Sequence, residues 1–287
     1  MWVEGKGIYL STRHRRPLDQ DRGWKSAISY SEDGINFEEI WSVQANTLNT
    51  ESIERSALVR DPGGVWRLYI SYVDLNRRWR IDLLEAEDVM ALDPDKRIKI
   101  MDAESTLSEG VKDPYVMFIS GMTYMFVAYA PIDTVVPGST YDDLHGTGNV
   151  FTTGLVQHPS GLWISADGRN FTFKRDITVP GYGWDRNVAR LSCVVPNGVG
   201  FTIFYDGRLT SGDVYEDKTG MCSTLDFVNV IKHSDEGAIL EGPYGSGCLR
   251  YIDCVRFEDD LLYYYEVSRV DAAHELRVAK VPLTTSG

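Results

Sequence analysis

EGVKDPYVMFISGMTYMFVAY, residues Glu109 to Tyr129, decides how the rest of the chain is read. It begins with an extended lead through Lys112, Asp113 and Pro114. An apolar strand follows, then a Ser120-Gly121 turn and a second, aromatic strand. A carboxylate at the head of a buried hairpin has little freedom, which suits chemistry. A hairpin alone says nothing about function, but this one recurs.

Working outward, Ile8 to Arg13, Trp24 to Tyr30 and Phe37 to Trp41 are short, β-rich runs. Ser31-Glu32-Asp33-Gly34 joins the last two, with Asp-Gly supplying the positive φ of a tight turn. Ser56 to Arg60, Trp66 to Tyr72 and Trp79 to Ala86 make the next unit. Beyond the Glu109 hairpin lies a polar, Gly-rich insertion from Pro131 to Thr153, expected to act as a lid. Gly161 to Ser165 and Phe171 to Arg175 close that third unit. Ala189 to Val195, Phe201 to Asp206, Gly220 to Ser223 and Val228 to Lys232 form the fourth. Leu249 to Phe257, Leu262 to Ser268 and Glu275 to Val281 form the fifth. Only Glu87 to Leu92 and Asn46 to Ile53 offer short helical turns.

The second strands begin at Ile8, Trp66, Tyr124, Phe201 and Leu262, a spacing of roughly 60 residues stretched once by the insertion. One four-stranded sheet cannot bury both faces, so stacked neighbours must do it. Radial stacking of such sheets predicts an all-β, five-bladed β-propeller as one domain over residues 1–287, with blades at approximately 1–45, 50–100, 108–178, 182–233 and 245–283. The Ser31 to Phe37 turn recurs as Ser165 to Phe171, each between third and fourth strands.

The chain has 287 residues, 43% hydrophobic and 11% aromatic, enough for a substantial core. A net charge of −13 disfavours nucleic acid and anionic membranes as partners. No apolar run approaches the roughly 18 residues of a membrane helix, and no signal-peptide pattern opens the chain, so a cytoplasmic protein is expected. Cys193, Cys222, Cys248 and Cys254 follow no metal-ligand spacing and read as small buried thiols in a reducing compartment. The histidines at 14, 145, 158, 233 and 274 show no paired ligand spacing; neither metal nor other cofactor is expected.

Inner strands of a propeller start near its central channel, so residues just before them face a shared funnel. Counting back about eleven residues from each second strand gives Arg55 beside Glu54, Asp113, Arg190, and Arg250-Tyr251 as equivalent positions. Trp184-Asp185-Arg186 lies slightly before Arg190. Glu51 and Lys112 flank the set, while Asp206 and Glu266 close second strands and can reach the same mouth. Rival structural readings accompany each: Asp113 as a residue that merely begins a strand, Asp185 in a salt bridge to Arg186, Glu51 and Glu54 in solvated ion pairs. Arg60-Asp61-Pro62 falls in a hairpin turn, which makes Asp61 a turn residue. The arginines at 13, 55, 186, 190, 250 and 269 either hold an anionic substrate group or phosphate, or neutralise the funnel acids.

The five-unit pattern, the Ser-x-Asp-Gly-x-x-Phe turns and the Asp113-Pro114 lead resemble the five-bladed glycoside hydrolases of families 43 and 32, whose relatives include the family 130 phosphorylases. The resemblance implies an acid/base glycosidase acting on a small oligosaccharide or glycoside without a cofactor. Asp113 matches the family 43 acid that orients and modulates. Asp185 stands where that family has its Glu acid. The family's first-blade base would precede Trp2-Val3. Glu241-Gly242-Pro243 mimics the acid motif but lies 22 residues before Tyr263, out of phase. Glycoside cleavage needs one carboxyl to protonate the leaving oxygen and one to activate water or attack; Asp113, Asp185 and Glu54 are the catalytic candidates. Trp184, Tyr115 and Tyr251 are candidates to stack on a sugar, or else inter-blade core. A phosphorolytic enzyme and a non-catalytic carbohydrate-binding propeller are the alternatives.

Overall fold

The computed structural model describes residues 1–16, 22–211, 217–271 and 273–283. Five antiparallel sheets form the blades of a five-bladed β-propeller. The first contains β1 (Trp2–Val3), β2 (Gly7–Arg15), β3 (Gly23–Ser31) and β4 (Glu38–Gln44). The second contains β5 (Ala57–Arg60), β6 (Trp66–Val73), β7 (Trp79–Ala86) and β8 (Ile98–Met101). β9 (Ser108–Ile119), β10 (Met122–Pro131), β11 (Ser160–Ser165) and β12 (Thr172–Thr178) follow. β13 (Val188–Asn197), β14 (Gly200–Arg208), β15 (Lys218–Thr224) and β16 (Val230–Lys232) make the fourth sheet. The fifth has three strands: β17 (Leu249–Phe257), β18 (Asp260–Ser268) and β19 (His274–Pro282). By compactness the chain falls into two units, one with most of residues 3–176 and one with 158–160 and 177 onward.

In the first unit, two-residue alternation along β6 explains the packing. Leu68, Ile70 and Tyr72 join a cluster with Tyr9, Ile28 and Ile53, while Tyr69 turns to the opposite face and joins Val111, Met125 and Trp163. β6 is therefore apolar on both faces, as a strand sandwiched between sheets must be. The β9–β10 hairpin closes through Ser120 (φ 50°) and Gly121 (φ 80°), both left-handed, as a two-residue primed turn requires.

The Ser31 and Ser165 turns have identical bonding. Asp33 Oδ1 accepts the amides of Ile35 and Asn36, both at 2.8 Å, and Asp167 Oδ1 does the same for Arg169 and Asn170. A third copy, not expected from the sequence, joins β15 to β16. Asp226 accepts from the Val228 and Asn229 amides, Thr224 stands in for serine, and Phe227 adopts φ 56° where the other two copies have glycine.

Four expectations change. β8 was not anticipated, because its IKIM run, after two 3-10 turns (Val89–Ala91 and Pro94–Lys96), is at the lower limit of strand length. Residues 46–53 form hydrogen-bonded turns and no helix. The insertion contains the short helix α1 (Tyr141–His145), closed by a Thr140/Asp143 capping box. The same insertion is built into the core: Leu144, Val150 and Phe151 pack with Val73, Trp79 and Ala130. No helix among the described residues is long and apolar enough to cross a membrane.

Candidate functional site

The first strands of four blades carry the same irregularity. In β9, Tyr115 pairs with Phe126 and Lys112 with Ala128, so Asp113 and Pro114 together face one residue of β10. In β17, Asp253 pairs with Tyr264 and Arg250 with Glu266. In β13, Cys193 pairs with Phe204 and Leu191 with Tyr205. In the second blade, Ala57 pairs with Tyr69 and Ile53 with Tyr72. Each is a β-bulge with one extra residue, a device that re-aims side chains. It also accommodates Pro114, which has no amide to give the ladder.

The bulge resets the expected phase. Aligned on the pair that follows it, Glu54, Lys112, Arg190 and Arg250 occupy one equivalent position, and Arg55, Asp113, Leu191 and Tyr251 the next. The sequence count had grouped Asp113 with Arg190 and Arg250, one residue out for those two. Asp113 (φ 55°) and Tyr251 (φ 54°) share the left-handed backbone of the position.

In the first unit, four acids gather around the starts of blades two and three. Arg13 Nη1 donates to Glu54 Oε2, and both side chains are almost wholly buried. Arg22 Nη2 donates to the more exposed Glu51 at 3.0 Å. The Lys112 ammonium lies 3.9 Å from Asp113 Oδ2, over the rings of Trp79 (5.0 Å) and Phe151 (4.7 Å). The Asp113 side chain is fully buried. Arg55 sits 5.8 Å from the centre of the Tyr115 ring. Glu109, not singled out in the sequence, accepts from Arg78 at 3.0 Å and is 2.8 Å from His145 Nε2 on α1. Arg22 also donates to Gly148 O, so the insertion touches this cluster at two points.

In the second unit, five candidates join one buried ion network. Arg190 donates from Nε and Nη2 to Asp206 Oδ2 (3.1 and 2.8 Å) and from Nη2 to Asp217 Oδ2 (3.2 Å). Arg250 donates twice to Glu266 Oε1 (2.9 and 2.6 Å) and once to Asp217 Oδ2 (3.1 Å). Arg208 completes Asp217 at 3.2 Å, and His274 Nδ1 lies 2.6 Å from Glu266. Arg190 with Asp206 and Arg250 with Glu266 are direct cross-strand partners, which is why the pattern repeats. Burial pushes the Asp206 carboxyl up, opposed by Arg190. Burial also acts on Asp217, but three guanidiniums overcome it and hold that carboxyl below its usual range. Burial works to lower the Arg250 pKa, yet Glu266 and its other neighbours keep it well above the ordinary value. The amide of Tyr251 donates to Asp206 Oδ1 at 3.0 Å, and its ring lies 4.2 Å from Arg190 and 5.1 Å from Arg250. Sequence reading missed Asp217, Arg208 and His274; Asp217 stands just before β15, with no strand pattern of its own to place it.

Asp185 lies elsewhere in that unit. Its Oδ1 accepts the Gly181 amide (3.2 Å) and its Oδ2 the Tyr205 hydroxyl (2.9 Å), with Lys232 of β16 paired to the same oxygen. Trp184 stacks near Tyr205 at 5.8 Å and donates to Ser234 O. The expected partner Arg186 is exposed. Asp61 accepts the Val65 amide inside its turn, and the exposed Glu241 pairs with Lys218.

Burial pushes the Cys222 and Cys248 thiols up to about 12 and Cys254 to about 11, so they are unreactive near neutrality.

Several solved structures share this fold. A β-1,2-mannobiose phosphorylase from Listeria innocua, in complex with β-1,2-mannobiose, matches with a TM-score of 0.61 and 17% identity over 92% of this chain and 68% of that one. A thermostable family-43 glycoside hydrolase matches at 0.61 and 13%, over 98% and 92%. A family 32 β-fructofuranosidase of Bombyx mori matches at 0.64 and 13%, over 99% of this chain and 59% of that one. The structural neighbours are thus five-bladed-propeller glycoside hydrolases and phosphorylases, and the expected propeller is borne out. At these identities the likeness is one of fold. No family model matches the chain, and no curated protein matches it in sequence.

Proposed function

We propose that this chain is a glycoside hydrolase that cleaves a small oligosaccharide or glycoside by carboxylic acid/base catalysis. The observation that carries the reading is the recurring bulge, which sets Glu54 and Asp113 at adjacent phases of blades two and three. Bulges and left-handed non-glycine backbone concentrate at functional sites. Glu54 and the more exposed Glu51 are the carboxyl groups that meet the substrate. Asp113, wholly buried beside Lys112, acts from behind as a positioning acid. Both Asp185 oxygens are engaged inside its own sheet, which favours a structural role.

Hydrolysis is favoured over phosphorolysis by the arginines. Arg13, Arg190 and Arg250 are each bonded to buried carboxylates, and Arg269 to Asp271 and Glu275, which supports neutralisation of acids over capture of phosphate. The test is turnover of 4-nitrophenyl glycosides and small disaccharides, β-1,2-mannobiose included, with and without phosphate. Hydrolysis in phosphate-free buffer is expected. Strict dependence on phosphate identifies a phosphorylase, and sugar binding without any turnover identifies a binding propeller. Wild-type turnover by the Glu54→Gln, Asp113→Asn double variant refutes the site.

A further inference from the structure

Of the residues at the bulge, Tyr251 is the costliest to place. A bulky aromatic in the left-handed region is a genuine outlier, held there against strain. Two contacts hold it there. Its amide is fixed by Asp206 Oδ1, a fully buried carboxylate, and its ring rests against the Arg190 and Arg250 guanidiniums. Those groups are buried, whereas the Tyr251 side chain reaches partly into solvent. The arrangement is a pedestal: a rigid ion network raising one aromatic ring at the start of an inner strand.

The formal charges of the pedestal cancel. Arg190, Arg208 and Arg250 face Asp206, Asp217 and Glu266, three cations against three anions. Each guanidinium is bonded to a carboxylate, so these six groups present no net charge beside the ring, and His274 on Glu266 adds a cation only when protonated. What remains for a ligand is a polarised aromatic surface with a hydroxyl at its rim, suited to the C–H face of a sugar ring.

We propose that Tyr251 is a stacking platform for one ring of an uncharged sugar, and that Asp206 is the positioning residue that holds it. The proposal rests on the carbohydrate reading above and deepens it: the platform selects neutral sugars over uronic acids and phosphate. This departs from the anionic substrate that the arginine count suggested.

The experiment is saturation-transfer NMR on the full chain. The probes are methyl glycosides of mannose, galactose, xylose and arabinose, set against glucuronate and inorganic phosphate. Tyr251→Gly is the decisive variant, because glycine tolerates this φ and removes the ring without straining the backbone. Tyr251→Trp keeps an aromatic face. Wild type and Tyr251→Trp are expected to bind at least one neutral glycoside, with affinity falling about tenfold or more in Tyr251→Gly. Equal binding by Tyr251→Gly, no neutral sugar bound by wild type, or preference for glucuronate or phosphate each overturns the proposal. Turnover separates the two readings. Ring-dependent binding without hydrolysis leaves the platform standing and removes the hydrolase. Hydrolysis indifferent to Tyr251→Gly does the reverse.

Discussion

The Tyr205 hydroxyl donates to Asp185 Oδ2 at 2.9 Å, on the same carboxylate that pairs with Lys232. That carboxylate ties β14 to β16, so its loss is expected to be a lesion of stability. Asp185→Ala removes the acceptor that Tyr205 and Lys232 share, leaving them only Ser234 Oγ and Val179 O, a cost of about 1–3 kcal/mol. Denaturant unfolding should show the loss, while turnover per folded molecule stays near wild type. A stable variant with abolished turnover overturns the structural assignment.

Glu54→Gln keeps size and most hydrogen bonding but removes the charge. If Glu54 transfers a proton, kcat falls by about 10²–10⁴ with little change in KM. Asp113→Asn, wholly buried beside Lys112, should lower kcat by a smaller factor and alter its pH profile. Steady-state kinetics over a range of pH checks both, and equal losses in the two variants contradict this ordering.

Phe227 carries a conflict between backbone and side chain. Its φ of 56° favours glycine, as at the matching Gly34 and Gly168, yet its ring is buried 4.5 Å from Phe201. Phe227→Gly recovers about 1–2 kcal/mol of strain but loses about 3–5 kcal/mol of burial, a net destabilisation of about 2 kcal/mol. In a Phe201→Ala background the same change should cost much less, which a double-mutant cycle by denaturant unfolding will read.

Acid sensitivity should concentrate in the turn aspartates. The Asn36 and Ile35 amides hold Asp33 well below the usual carboxylate range, and the Asn170 and Arg169 amides do the same for Asp167; Asp226 shifts likewise. Burial of Asp102 is outweighed by Lys99 and Ser105, leaving its pKa at about 2. A depressed folded-state pKa gives stability that is complete above the unfolded value of about 3.9 and lost as pH falls through the folded one. The urea midpoint should therefore drop from about pH 4 to about pH 2, and less steeply in an Asp33→Asn, Asp167→Asn, Asp226→Asn triple variant. An unchanged slope argues against this source.

The β-runs and turns were legible because alternation and Asp-Gly pairs are local signals. Strand β8 and the Thr224 turn were not, the first because four residues are too few for a clear pattern, the second because Phe227 replaces the expected glycine. The site divides similarly. Residue types at strand starts picked out Glu54, Asp113, Arg190 and Arg250, but which of them are equivalent depends on strand pairing, which a count back from the second strands does not give. Asp217 and Arg208, which complete the second unit's network, are read only once β13, β14 and β17 lie side by side.

A bulged residue stands outside the regular rungs of the ladder, so the sheet's bonding does not depend on its side chain. In three blades of this chain that position holds Arg55, Asp113 and Tyr251: a cation, an acid and an aromatic on one scaffold. The blades can therefore diverge chemically while remaining interchangeable as architecture. A protein built this way acquires a new specificity by changing the occupant of one such place, with the surrounding strands left as they are.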